Sequence, residues 1–257
     1  MMMNTLFRRG AAASQQAARR DFSSTILRQK METVIAARQA EAKEFKKEYG
    51  SQVIGEVTVD QVLMGMRGLP GMLYETSKLD PSEGISYRGH KLFDVVEKAP
   101  ATVPGGQPIP EGILWLLLTG DYPSESEIKD LKEDMYKRGQ LSADQEKLIS
   151  SLPKDMHAMA QFSAGVLMCQ PDSKFAKAYS SGVHKSKYWE STLEDALDVC
   201  ARVSRIAALV YANKYRDGAK IADRDSSLDY SENFCNMLGF SDPQFTELMR
   251  LYLTLHA

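Results

Sequence analysis

A succession of amphipathic segments, each bounded by helix start or stop signals, constrains the fold of this 257-residue chain more than any other feature. Ser124 lies three residues before Glu127, and Ser142 lies three residues before Gln145, which is the spacing of a capping box at a helix N-terminus. Residues 110–120 (PEGILWLLLTG) place a Pro before and a Gly after an apolar run, in the order that helices prefer. The greater part of the chain is therefore predicted to be helical.

Extended segments are expected only near the N-terminus. Residues 53–59 are rich in Val and Ile and could pair as a short strand, and residues 72–75 and 84–89 are two further candidates. These candidates are too short and too few for a sheet-based domain. Because we also find no fixed-period repeat, the predicted fold class is all-α: a large multi-helical globular domain with a few short strands near the N-terminus.

Residues 1–28 differ in composition from the rest of the chain. They contain five Arg residues and one acidic residue, with Ala and Ser between them. This composition is typical of a mitochondrial transit peptide, and the unbroken apolar stretch of about 7–15 residues that a secretory signal requires is missing. We therefore expect residues 1–28 to lie outside the fold and to direct the protein to the mitochondrial matrix. The alternative is a disordered basic tail.

Charge and cysteine usage exclude several other classes of protein. The net charge of −2 argues against a general nucleic-acid binder, since no basic excess exists to neutralise phosphates. No apolar run approaches about 20 residues, so no membrane span is predicted. The number of cysteines is odd, and the three are far apart in the sequence: Cys169, Cys200 and Cys235. We expect all three to behave as small buried hydrophobic residues in a reducing compartment. The four histidines are equally scattered, and no metal site is predicted.

Three stretches could carry chemistry, although each also has a structural explanation. Residues 65–71 (GMRGLPG) surround one Arg with glycines but match no nucleotide-binding loop. Residues 184–189 (HKSKYW) place two cations beside two aromatic rings, which could face an anionic ligand or simply connect two helices. Residues 156–169 form a predicted helix with small residues on one face, so we expect a tight helix contact within the core or between subunits. His157, near its start, is expected to be a packed or capping residue.

The last segment, residues 241–257, begins as a well-marked helix. Ser241 and Gln244 have the capping-box spacing. The second half is apolar nearly all round, which is typical of a helix inside a large protein, and no Gly, Pro or basic last turn ends it. The residues predicted to face the core are Phe245, Leu248, Met249 and Tyr252.

Several of these stretches resemble the citrate synthase family. Residues 110–120 resemble its P-E-G-L-F-W-L-L-x-T-G stretch. The resemblance runs from about residue 30 to residue 257. The other matching stretches are residues 66–68 (MRG), 71–81 (GMLYETSKLDP), 83–89 (EGISYRG), 187–190 (KYWE), 233–239 (NFCNMLG) and 244–256 (QFTELMRLYLTLH).

The resemblance implies a homodimeric, nearly all-α enzyme with a large and a small domain. Residues 29–257 would form the N-terminal part of the large domain, without the small domain. The implied reaction condenses acetyl-CoA with oxaloacetate and water to citrate and CoA, with acetyl-CoA as a substrate and no permanently bound cofactor. In the family an Asp removes a methyl proton, one His stabilises the enol, and a second His polarises the oxaloacetate carbonyl.

The resemblance carries a few positions over to this chain. Arg67 matches a loop Arg near the CoA phosphates, and Lys185 stands where the family often has an Arg that reaches the CoA of the other subunit. A Lys keeps the charge but lacks the planar fork of Arg. Residues 156–169 match a helix of the family's dimer interface. His256 lies near the expected substrate site, because the family continues from there with an Asp-His-Glu-Gly-Gly-Asn motif.

The family's catalytic Asp, His pair and carboxylate-binding Arg residues belong after the position of Ala257. We therefore assign no catalytic residue in this chain and expect the chain as written to be inactive. The alternative is a non-catalytic helical scaffold or assembly protein derived from the enzyme. The coding sequence beyond Ala257 would distinguish the two hypotheses.

Overall fold

The computed structural model describes residues 25–72 and 76–257, which form a mostly helical fold. One antiparallel sheet of order β1-β2-β3 comprises Ser77–Asp80, Gly84–Tyr87 and His90–Lys91. The prediction of an all-α fold with a few short strands near the N-terminus is confirmed. The α-helices are α1 (Ile26–Tyr49), α2 (Val59–Leu63), α3 (Leu92–Lys98), α4 (Pro110–Thr119), α5 (Glu125–Arg138), α6 (Ala143–Ser150), α7 (Ala158–Leu167), α8 (Lys174–Ser180), α9 (Tyr188–Tyr215), α10 (Tyr230–Leu238) and α11 (Pro243–Leu255).

The long helix α9 lies at the centre of this arrangement and contacts α5, α6, α7, α8 and α10. Leu193 and Leu197 of its first half share a core cluster with Trp115 of α4, and Ile206 of its second half shares another with Ile149 of α6. A third core cluster, which includes Tyr87, Val95, Ile113 and Leu116, joins the sheet to α3 and α4. None of the helices in the described ranges is long and apolar enough to cross a membrane.

The capping boxes predicted at Ser124 and Ser142 are present. Ser124 N–H donates to Glu127 Oε2 at 2.7 Å while Ser124 Oγ accepts from Glu127 N–H at 3.4 Å, and Ser142 and Gln145 make the equivalent pair of bonds. Gly120 ends α4 in the left-handed conformation (φ 88°), which a glycine adopts without steric cost. These local signals therefore gave correct helix ends.

The predicted strand at residues 53–59 is wrong. Thr58 instead begins α2: its N–H donates to Gln61 Oε1 at 3.0 Å, and its Oγ1 accepts from Gln61 N–H at 3.2 Å. A β-branched run needs a neighbouring strand to pair with, whereas a capping box forms locally. The candidate at residues 84–89 is confirmed by β2, and residues 73–75 of the remaining candidate lie outside the described residues.

Helix α1 begins within the predicted transit peptide and is part of the core from its first turn. Thr25 caps it, accepting from Arg28 N–H at 3.3 Å, and Leu27 is fully buried. Arg28 Nη1 also lies 3.4 Å from Glu194 Oε1 of α9. Residues 25–28, expected to lie outside the fold, therefore belong to it. The rest of the predicted transit peptide lies outside the described residues.

Helix α7 makes the close contact that its small residues predict. A Cβ added to Gly165 would lie 2.5 Å from Ile206 Cγ2, so α7 and α9 approach as closely as a glycine allows. His157 caps α7, since its Nδ1 accepts from Met159 N–H at 3.1 Å, as the capping interpretation requires. On the opposite side of α7, Met159 and Leu167 are exposed.

The cysteines only partly match expectation. Cys169 and Cys235 are buried, whereas Cys200 is exposed, so the prediction of three buried cysteines is wrong for this one. Cys200 lies on the outer side of α9, because the neighbouring Ala201 occupies the buried face of that helix.

The predictions for the last helix are partly wrong. Asp242, not Ser241, caps α11, and its Oδ1 accepts from Gln244 N–H at 2.8 Å. Of the predicted core-facing stripe, Leu248 and Tyr252 are 59% and 54% exposed, and Phe245 and Met249 are only partly buried. The buried residues are instead Thr246, Arg250 and Thr254.

Candidate functional site

The three residues that the sequence singles out lie on separate elements. Arg67 is in the loop after α2, Lys185 begins the 3₁₀ turn Lys185–Lys187, and His256 follows the last residue of α11. All three are exposed. Across residues 25–72 and 76–257, no hydrogen bond or ion pair joins any two of them.

The loop that carries Arg67 curls sharply. Gly65, Met66 and Gly68 all have positive φ values, of 77°, 64° and 74°. Met66 N–H donates to Gln61 O at 2.6 Å and ties the loop back to α2. A non-glycine residue with positive φ is uncommon and is found where the surrounding structure imposes it. The loop thus presents the Arg67 side chain on the surface.

Lys185 lies beside an aromatic cluster. Tyr188 packs edge-on against Phe175 of α8 with ring centroids 5.2 Å apart and also contacts Tyr179. Lys187 is paired with Glu190 at 3.1 Å, whereas Lys185 has no ion pair within the described ranges. Lys185 can therefore bind an anionic group without breaking an existing ion pair, whereas Lys187 would have to give up its ion pair with Glu190.

His256 is held against the last turn of α11. Its Nδ1 lies 2.8 Å from the carbonyl oxygen of Tyr252, and the two rings are in contact with centroids 4.2 Å apart. A carbonyl oxygen can only accept a hydrogen bond, so Nδ1 must carry the proton. In the neutral ring, Nε2 is then the acceptor, and this is the nitrogen that an external group can use.

An ion network orients α11. Arg250 Nε donates to Asp229 Oδ2 at 3.1 Å, Arg250 Nη2 donates to the same oxygen and to Glu232 Oε2 at 3.2 Å, and Nη1 donates to Glu247 Oε1 at 2.5 Å. Asp229 Oδ1 also caps α10 by accepting from the Ser231 and Glu232 N–H groups. Burial of this arginine requires its partners, which is why Arg250 faces inward and Leu248 faces outward.

A second carboxyl group is buried beside this network. Glu111, in the first turn of α4, accepts from Tyr230 N–H through Oε1 at 2.9 Å, while Oε2 has no hydrogen-bond partner in the described part of the chain. Burial raises the pKa of Glu111 to about 7, and the negative charge of Asp229 also raises it. Glu111 can therefore hold a proton near neutral pH at the junction of α4 and α10.

The sheet contacts the far end of α11. Tyr87 of β2 is fully buried, and its hydroxyl donates to the carbonyl oxygen of Thr254. Burial raises the pKa of Tyr87 to about 12, so the phenol stays protonated and remains a donor. Tyr87 and His256 thus both make hydrogen bonds to carbonyl groups of the final turn of α11.

Sequence reasoning missed the residues that build this end of the fold: Tyr87, Glu111, Asp229 and Arg250. One signal was available, because Thr246, Arg250 and Thr254 recur at four-residue spacing and form a polar stripe along an otherwise apolar helix. A group of three or more His, Cys, Asp or Glu side chains that could hold a metal ion is not found among the described residues.

Known proteins share both the sequence and the fold of this chain. A protein named "Citrate synthase, mitochondrial" from Xiphias gladius is 47% identical over 235 residues, covering 91% of this chain and 50% of that protein. A "Probable citrate synthase, mitochondrial" from Glossina morsitans morsitans is 46% identical over 231 residues, covering 90% of this chain and 50% of that protein. The chain spans about half the length of the curated relatives that it matches.

Solved structures of low sequence identity have the same fold. Citrate synthase from Pyrobaculum aerophilum has a TM-score of 0.64 at 22% identity, covering 80% of this chain and 50% of that one. Citrate synthase from Thermoplasma acidophilum, in a ternary complex with carboxymethyl coenzyme A and oxaloacetate, has a TM-score of 0.56 at 22% identity, covering 76% of this chain and 47% of that one. A family model described as "Citrate synthase, C-terminal domain" matches residues 65–257, and the chain therefore belongs to the citrate synthase family.

Proposed function

We propose that this chain serves the reaction of a citrate synthase, an acyltransferase that condenses acetyl-CoA with oxaloacetate and water to give citrate and CoA. The observation that carries the proposal is the 47% identity to a mitochondrial citrate synthase over 91% of the chain. The Thermoplasma acidophilum enzyme is described in complex with carboxymethyl coenzyme A and oxaloacetate, which agrees with these two substrates.

Within this reaction, we assign substrate binding to the residues of this chain. Arg67 and Lys185 are exposed cations, and each would bind phosphate groups of CoA, Arg67 through its planar fork and Lys185 as a single charge. His256 would lie beside oxaloacetate, with Nε2 as the nitrogen available to it. No catalytic residue is assigned among residues 1–257, so we expect these residues alone to bind CoA but not to complete the reaction.

We also propose that the protein is a homodimer that works in the mitochondrial matrix. The outer face of α7 exposes Met159 and Leu167, and an apolar face of this kind is suited to a two-fold interface in which both copies use the same surface. The names of the relatives and the Arg-rich composition of residues 1–28 support the mitochondrial location.

CoA binding to the 257-residue chain, measured by calorimetry, tests this assignment. We expect Arg67→Ala and Lys185→Ala each to weaken binding about tenfold, the order expected for loss of one hydrogen-bonded charge. Lys47→Ala is the matched control, because Lys47 is an exposed cation on α1 and should leave CoA affinity unchanged. CoA affinity that neither Arg67→Ala nor Lys185→Ala lowers would contradict the assignment.

The same samples distinguish the enzyme from the alternative, a non-catalytic helical scaffold. Oxaloacetate-dependent release of the CoA thiol from acetyl-CoA would show that residues 1–257 suffice for catalysis and would overturn the proposal that they only bind. A stable chain without CoA affinity would favour the scaffold.

A further inference from the structure

The last turn of α11 depends on a residue from a distant part of the chain. The final four carbonyl groups of any helix lack partners within the helix. Here the Thr254 carbonyl accepts from the Tyr87 hydroxyl and from the N–H of His256, and the Tyr252 carbonyl accepts from His256 Nδ1. Tyr87 is separated from Thr254 by 167 residues, so this contact exists only in the folded protein.

Tyr87 itself is rigidly held. It is fully buried and pairs with Ser77 of β1 and His90 of β3 in the sheet. The next residue, Arg88, has a φ of 51° and donates from Nε to Leu117 O at 2.7 Å and from Nη2 to Leu118 O at 3.1 Å. The phenol is therefore fixed relative to both the sheet and α4.

From these contacts we propose that Tyr87 is a positioning residue for His256: its hydroxyl fixes the last turn of α11, so that His256 keeps Nδ1–H on the Tyr252 carbonyl and offers Nε2 to oxaloacetate. The binding of oxaloacetate by Nε2 rests on the proposed function, whereas the effect of Tyr87 on the His256 tautomer is independent of that function. Free imidazole side chains exchange between two tautomers, so a single tautomer reports that the last turn is held in place.

The histidine ring nitrogens of the ¹⁵N-labelled 257-residue chain report this directly in NMR spectra, with His256→Gln to assign the signal. We expect the wild-type His256 signal to be that of the Nδ1–H tautomer at a pH where the ring is neutral. In Tyr87→Phe, which keeps the ring and removes one oxygen atom, we expect that signal to be lost and replaced by a mixture of tautomers.

Tyr122→Phe is the matched control. Tyr122 packs against the same core cluster as Tyr87, and its hydroxyl has no hydrogen-bond partner within the ranges the structure describes. This variant should keep the wild-type tautomer. If Tyr87→Phe does not fold, the folded wild-type chain supplies the test, because a mixture of His256 tautomers in the wild type would by itself overturn the proposal. An unchanged His256 tautomer in the folded variant, or an equal change in Tyr122→Phe, would overturn the proposal.

Addition of oxaloacetate distinguishes the positioning of His256 by Tyr87 from the binding of oxaloacetate by His256. We expect the wild-type His256 signals to shift on titration and the apparent affinity to fall about tenfold in Tyr87→Phe. If oxaloacetate leaves the wild-type signals unchanged while Tyr87→Phe still alters the tautomer, the assignment of His256 to a substrate site fails. The structural role of Tyr87 then stands, and its role in substrate binding is overturned.

Discussion

Arg250 and Asp229 form a buried ion pair that joins α11 to the N-terminus of α10. Their side chains are 5% and 0% exposed, and Arg250 Nε lies 3.1 Å from Asp229 Oδ2. Because Asp229 Oδ1 caps α10 at the same time, one carboxylate positions both helices. The pair therefore decides which face of α11 is buried.

Arg250→Met should strongly destabilise the chain. The substitution keeps much of the side-chain volume but leaves Asp229 buried without its main cation, and removal of one partner of a buried pair costs about 3–5 kcal/mol. The free energy of unfolding, from urea titration monitored by circular dichroism, measures this loss.

Lys220→Met is the control for this variant, because Lys220 and Asp223 form an ion pair 3.7 Å apart with both side chains more than 80% exposed. Surface pairs of this kind contribute between about 0 and 1 kcal/mol. A comparable loss of stability in both variants would contradict the assigned role of Arg250.

Glu111→Gln should change how stability depends on pH. The pKa of Glu111 is about 7 in the folded chain against an ordinary value of 4.5, so the folded state retains a proton that the unfolded state releases. Wild-type stability must therefore decrease, relative to Glu111→Gln, as pH rises from about 4.5 to about 7, and the difference is constant above that range. Between pH 5 and pH 8 we expect about 2–3 kcal/mol, read from urea unfolding.

Two charged groups near Glu111 affect its pKa. Asp229 raises its pKa and Lys132 of α5 lowers it. Gln preserves the acceptor for Tyr230 N–H, and parallel pH profiles of the two proteins would show that Glu111 is ionised in the folded chain.

Local signals in the sequence correctly predicted where α5 and α6 begin, because a capping box such as that of Ser124 and Glu127 is satisfied within one turn. The prediction of a strand at residues 53–59 was wrong because β-branched composition only favours a strand, whereas the Thr58 capping box is a specific local structure that begins a helix.

The orientation of α11 could not be predicted in this way. Hydrophobic periodicity assigns Leu248 to the core, but Arg250 finds its partner 21 residues away at Asp229, and the tertiary contact prevails. The contact of Tyr87 with Thr254 spans a still larger separation. The candidate substrate positions Arg67, Lys185 and His256 came from a family resemblance, and no local pattern marks the residues that hold them.

Gly165→Ala should destabilise the contact between α7 and α9. The new methyl group would lie 2.5 Å from Ile206 Cγ2 and 3.5 Å from Ile149 Cδ1, so side chains or backbone must shift. Overpacking of this kind costs about 1–3 kcal/mol. Ser163→Ala, on the exposed side of the same helix, should change the free energy of unfolding by less than about 0.5 kcal/mol.

Leu167→Lys should weaken the proposed homodimer. Leu167 is 72% exposed on the outer face of α7, and a charge there would be buried without a partner in a two-fold interface, once from each copy. We expect the dimer dissociation constant, from sedimentation equilibrium, to rise at least tenfold, with the helical circular dichroism unchanged. Val199→Lys, an exposed apolar position on α9, is the control. A dimer that Leu167→Lys leaves intact would exclude this face as the interface.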